Sequence, residues 1–117
     1  MESYLDTLKS ELNAEEGSFL LKLRSDFKWD KTAFTRLVSA MRICCEQRAE
    51  TDALPRWLAE GFWYLSTFVK DTSSHPQFRR PYPQGYYQKA YERLEDLAYW
   101  FFRGESPYLE GSGFDEI

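Results

Sequence analysis

An all-α fold, a single-domain bundle of four to five mostly antiparallel helices around an aromatic-rich core, is the architecture this sequence predicts. Three observations point to it. Leucine occurs thirteen times against two valines and two isoleucines, and β-branched residues favour strands while leucine favours helices. Residues 54–70, LPRWLAEGFWYLSTFVK, place Trp57, Leu58, Phe62, Tyr64, Leu65, Phe68 and Val69 with Gly61 on one arc at ~100° per residue. Nine Phe, eight Tyr and four Trp supply much of the core volume, more rings than a small bundle easily hides.

That central segment carries two irregularities. Trp63 falls in the middle of the polar arc formed by Arg56, Ala59, Glu60, Ser66, Thr67 and Lys70, where a solvated face ordinarily presents something charged or small. Gly61 lies on the apolar arc, and a glycine inside a helix costs about 1 kcal/mol relative to alanine. Its place there predicts a close crossing by another helix. Thr51 or Asp52 is the expected cap, and Pro55 suits the first turn, where a missing N–H is no loss.

Before it, Ser3 caps a first helix to about residue 13 that carries Leu5, Leu8 and Leu12. Asn13 with Glu16 reads as a capping box, and Gly17 with Ser18 offers a second break. A second helix from residue 14 or 18 to 27 buries Phe19, Leu20, Leu23 and Phe27, unless residues 3–27 are one bent helix. Trp29 and Asp30 mark a turn. Asp30 caps a helix over 31–49, whose core arc holds Phe34, Leu37, Val38, Met41, Cys44 and Cys45, with Ile43 isolated on the polar side. The short polar connection 46–52, EQRAETD, predicts that this helix pairs antiparallel with the central one.

After Lys70 the segment DTSSHPQFRRPYPQG is irregular, because prolines at 76, 81 and 83 forbid a helix through it. It holds His75, Phe78, Arg79, Arg80 and Tyr82. A last helix over 83–103 buries Tyr86, Tyr87, Ala90, Tyr91, Leu94, Leu97, Ala98, Phe101 and Phe102, and Gly104 stops it. Tyr99 and Trp100 fall on its polar arc with Gln88, Lys89, Glu92, Arg93 and Asp96. The chain divides into a bundle domain at 1–104 and an acidic tail at 105–117, expected to be loosely held beyond Leu109.

Charge excludes several functions. The net charge is −4, but residues 1–50 carry −1, residues 51–104 carry +1 and the tail carries −4. The body is therefore neutral, without the basic face of a nucleic-acid binder or the spread acid of a DNA mimic. At 117 residues the chain buries roughly two thirds of the surface its unfolded form exposes, so no disulfide is needed. Cys44 and Cys45 are adjacent, a spacing that strains a bond between them. With no apolar leader and no run near the ~20 residues that span a bilayer, the expectation is a cytoplasmic protein that does not enter a membrane.

Catalytic and cofactor signatures are absent from the sequence. One histidine and two vicinal cysteines do not supply the spaced ligands of structural zinc, and no GxxxxGK or GxGxxG occurs. Glu15 with Glu16 and Glu95 with Asp96 are neighbours that point ~100° apart on a helix, and Glu60 reads as surface. Cys44 or Cys45 with His75 is a conceivable nucleophile and base, but both thiols project toward the core, where they are inert. No cofactor and no metal is expected.

The aromatic anomalies are the functional lead. Trp, Tyr and Arg dominate interface hot spots, and Trp63, Arg79, Arg80, Tyr82, Tyr99 and Trp100 all lie outside the expected core. Either a protein partner covers them, or Pro107, Tyr108, Leu109 and the proline loop fold back over them. The first reading makes the chain a non-enzymatic protein-binding module, for example an immunity-type protein that inhibits a toxin or enzyme by occlusion. Two others stay open: an enzyme or ligand-binding bundle with a pocket lined by Tyr86, Tyr91, Trp57 and Tyr64, and a homo-oligomer in which Trp63 and Trp100 meet across a two-fold axis.

Overall fold

The computed structural model describes residues 3–108, and within them the chain forms five helices and no strand. The first, α1 at Tyr4–Leu12, starts at Ser3, whose Oγ accepts the Asp6 N–H at 3.3 Å. Asn13 closes it by donating its own N–H to Lys9 O, so the expected capping box at Asn13 and Glu16 does not form. The chain turns through Ala14 and Gly17, both at positive φ. Ser18 then caps α2, accepting the Leu21 N–H at 3.1 Å. Residues 3–27 therefore hold two helices.

α2 is unusual. After one α-helical turn at Phe19–Leu21 it widens into a π-helix at Lys22–Asp26, which Phe27 ends in the left-handed conformation, φ 53°. Phe27, expected in the core, is half exposed. Trp29, marked in the sequence only as a turn, is buried. Its indole lies 4.9 to 5.8 Å from the rings of Phe19, Phe34, Tyr86 and Tyr87, and its N–H donates to Tyr86 Oη at 2.9 Å. This aromatic cluster ties α2, α3 and α5 together.

The three long helices are α3 at Lys31–Gln47, α4 at Arg56–Ser73 and α5 at Gln84–Arg103. Asp30 caps α3 through the Ala33 N–H at 3.0 Å and pairs with Lys22. Neither Thr51 nor Asp52 caps α4; Pro55 occupies that position, with no side-chain hydrogen bond. Gly104, at φ 76°, closes α5 with its N–H on Trp100 O at 2.8 Å.

Two antiparallel pairs make up the bundle. Glu11 meets Arg36 while the start of α1 lies beside Ser39 and Ile43, so α1 and α3 run in opposite directions. Phe62 stacks on Phe101 and Ser73 Oγ meets Tyr91 Oη at 2.6 Å, which sets α4 against α5 the same way. Between the pairs, α3 and α5 run parallel: Trp29 meets Tyr86 at one end, and Cys45 Sγ approaches Leu97 O at 3.5 Å toward the other.

The expected pairing of α3 with α4 is corrected. Both helices pack on α5, and α4 also lies against the π-helix. The connection 48–55 is long enough to carry the chain past the end of α5, where a Cβ on Gly104 would stand 2.8 Å from Ala49 O. At Gly61 the close neighbour is not a whole helix but the Leu12 side chain at the end of α1, whose Cδ2 lies 2.9 Å from where a Cβ would stand. No helix among the described residues is long and apolar enough to cross a membrane.

Candidate functional site

Phe62 and Phe101 stack face to face across the α4–α5 seam, with centroids 4.2 Å apart and planes 7° apart. In antiparallel helices the residue after each partner turns ~100° away, toward the same side of the seam. Trp63 and Phe102 therefore stand on one flank, 58% and 48% exposed. Trp63 is exposed as its place on the wheel predicts. Phe102, expected in the core, is the residue the sequence reading missed.

The polar atoms beside Trp63 turn inward. Ser66 Oγ donates to Trp63 O at 2.7 Å and Thr67 Oγ1 to Tyr64 O at 3.1 Å, the back-bonding that Ser and Thr adopt within helices. Their hydroxyls are thus engaged by backbone and leave the flank less hydrated than its composition suggests. Ala59 and Ala98 are only partly exposed.

The remaining site residues fall elsewhere. Tyr99 is exposed on α5 beneath the Arg103 guanidinium, 5.4 Å from its ring. Trp100 is buried, which corrects its expected exposure. Tyr108 returns over that side of α5, with its ring 6.5 Å from Trp100 and 5.6 Å from the Arg93 guanidinium. Burial pushes the Tyr108 hydroxyl up to about 12. Fold-back therefore accounts for Trp100. Leu109 and the acidic tail beyond it lie outside the described residues.

Arg79, Arg80 and Tyr82 sit in the loop joining α4 to α5. Both arginines are exposed, with Arg80 Nη1 at 3.4 Å from Ser73 O. Tyr82 is only partly exposed, packed against Tyr86 and Tyr87. Tyr99 is fifteen residues along α5 from the first of its turns, roughly 22 Å away at 1.5 Å per residue. The six do not converge on one surface.

Nor do the four rings proposed to line a pocket. Trp57 lies at the start of α4 beside Lys9, and Tyr91 meets Ser73 at its far end, roughly 24 Å apart along the axis. Tyr64 stacks on Phe68, and Tyr86 is fixed by Trp29. Burial raises the Tyr86 hydroxyl to about 12. Open clefts of about 350 and 440 Å³ occur instead along α1 and α3, sharing Thr7 and Arg36. Arg36 there holds the buried carboxylate of Glu11 through Nε and Nη2, at 3.2 and 2.9 Å, and donates to Gly17 O at 2.7 Å. Glu11 in turn accepts the Phe19 N–H at 2.9 Å. Arg36 Nε and Nη2 are thus committed to holding the α1–α2 corner.

The thiols offer no nucleophile. Burial raises Cys44 to about 11 and Cys45 further still, which keeps both protonated at neutral pH. His75 is exposed and its Nδ1 accepts the Gln77 N–H at 3.2 Å. Among the described residues no three His, Cys, Asp or Glu side chains gather where a metal ion would be held. Compared with family models, curated proteins and solved structures, the chain matches none.

Proposed function

We propose that the chain is a non-enzymatic protein-binding module whose contact face is the flank of the α4–α5 seam around Trp63 and Phe102. The observation that carries this reading is the exposure of both rings, which helix geometry sets on the same flank. Single exposed rings are ordinary, but two large ones exposed on one flank of a helix seam, among small residues and back-bonded hydroxyls, form an apolar surface that a partner desolvates at a gain. Occlusion of another protein, as an immunity-type inhibitor does, is the mode of action such a face serves; that step rests on analogy of class.

The test separates binding from folding. Trp63→Ala changes unfolding stability by no more than about 0.5 kcal/mol, as for other surface sites, while removing capture of the partner that the wild-type chain retains from a lysate. Phe102→Ala repeats the result. Light scattering on the purified chain decides whether that partner is a second copy. A large stability loss at Trp63, or capture that survives both substitutions, refutes the reading.

A further inference from the structure

Counted along the chain, the body is neutral; arranged in space, it is not. Residues 22–31 hold Lys22, Arg24, Lys28 and Lys31 against Asp26 and Asp30, and residues 70–89 hold Lys70, Arg79, Arg80 and Lys89 against Asp71. The helix directions bring these two stretches to one end of the molecule, where α3 begins, α4 ends and α5 begins. Contacts confirm the meeting: the Lys31 ammonium lies 5.5 and 5.1 Å from the rings of Tyr82 and Tyr86, and Phe27 lies 6.3 Å from Phe78. That end carries a net +5. The described residues 3–108 hold fifteen Lys and Arg against fifteen Asp and Glu, so the rest of them carries −5.

An apolar anchor stands in the middle of this charge. Phe27 is half exposed, held in the left-handed conformation by its N–H bond to Lys22 O at the close of the π-helix, with buried Phe78 behind it. Left-handed backbone is unfavourable for a residue with a side chain, and π-helical turns and such outliers concentrate at functional positions. The exposed Arg79 and Arg80 follow Phe78 directly.

We propose that this basic end docks a short acidic segment of a partner protein, with Arg79, Arg80 and Lys28 meeting its carboxylates and one of its apolar side chains seated on Phe27. This is a second surface, distinct from the flank of Trp63, which lies ten residues or roughly 15 Å up α4 from Ser73. A duplex laid along the molecule, 41 Å in its longest extent, would run past the basic end and set its phosphates against the net −5 of the other described residues. A short acidic segment ends where the cations end. Guanidinium groups hold carboxylates and phosphates alike by forked hydrogen bonding, so the preference for an acidic segment rests on the short extent of the basic end and the apolar anchor within it.

Fluorescence anisotropy with the full chain tests this, using a short labelled peptide of Glu and Asp around one Phe. The comparison probes are its Gln and Asn counterpart, a single-stranded oligonucleotide of equal length, and vesicles containing phosphatidylserine. The acidic peptide is expected to bind in a salt-sensitive way, and the other three markedly less. Arg79→Glu with Arg80→Glu weakens it by at least about tenfold, as for charge reversal at a complementary contact, and Phe27→Ala weakens it severalfold. Arg56→Glu with Arg103→Glu, the same charge change at the other end, leaves it within about twofold, as rim charges away from the contact do. Circular dichroism verifies that each variant is folded. No binding of the acidic peptide, equal or tighter binding of oligonucleotide or vesicles, or an equal loss in the Arg56/Arg103 variant overturns the proposal. Trp63→Asp leaves peptide binding unchanged, and a tenfold loss there overturns the assignment to this end. Neither result bears on lysate capture through Trp63.

Discussion

Gly61 sets helix propensity against space. Replacing it with alanine gains about 1 kcal/mol of helix propensity. The added Cβ would come nearest to Leu12 Cδ1 and stand 2.9 Å from Cδ2 and 3.2 Å from Cγ, inside ordinary contact. These atoms belong to the far part of a flexible, partly buried side chain, so Leu12 turns aside at a similar cost and Gly61→Ala is near neutral. Gly61→Leu adds three more carbons to the same space. Overpacking costs about 1–3 kcal/mol, and driving Leu12 from its contacts forfeits about 1 kcal/mol of burial, so a net loss of about 2 kcal/mol relative to alanine is expected. Leu12→Ala alone costs about 2 kcal/mol, at the low end for buried leucines. In the double variant Gly61→Leu with Leu12→Ala, the new side chain fills the vacated space, and a coupling of at least about 1 kcal/mol appears. Urea unfolding by circular dichroism, with an unchanged slope, measures all four proteins. Equal stability of the alanine and leucine variants, or strict additivity in the double variant, refutes the crowding argument.

Three other outcomes follow from named contacts. Glu11→Ala leaves the buried Phe19 N–H without its acceptor and costs about 2–3 kcal/mol, whereas Glu11→Gln keeps an acceptor and costs about 1 kcal/mol; equal losses would show that the Arg36 charge, not the N–H, matters. The Lys22 hydrogen bond, and next the Ala33 N–H, hold Asp30 below the usual carboxylate range, so its contribution is present above about pH 4 and is lost as pH falls through its lower folded-state value. Asp30→Asn preserves the cap but not the pair, so the stability gap between variant and wild type should shrink on acidification; a gap independent of pH contradicts this. Iodoacetamide at neutral pH should label Cys44 and Cys45 only as fast as urea unfolds the chain. Fast labelling of the native protein would place a thiol in solvent.

Much of the fold was legible because its signals are local. Asp30, Gly104 and Pro55 punctuate three long helices whose apolar spacing is regular, and their ends were located within a few residues. Side assignments failed where a helix has more than one neighbour. A wheel for α5 drawn for a single buried face puts Phe102 inside and Trp100 with Arg93 outside. In the structure α5 touches α3, α4 and Tyr108, and the wide covered arc these make takes in Trp100 and Arg93 and leaves Phe102 out. The π-helix had no visible signal, since one extra residue in a turn leaves composition unchanged. Glu11 was invisible for another reason: its partners, Phe19 and Arg36, are eight and twenty-five residues away. The basic end likewise emerges only when two separated stretches are superposed in space.

The parallel seam between α3 and α5 also constrains how the chain reaches this state. α4 and α5 adjoin in sequence, so their pairing closes only a short loop, and α1 reaches α3 through α2. Cys45 and Leu97, by contrast, lie fifty-two residues apart. Closing so long a loop before either hairpin exists gains few contacts for its entropy. Contact order therefore predicts that the α3–α5 seam forms after the α4–α5 hairpin, with the contacts of Trp29 to Tyr86 and Tyr87 among the late ones.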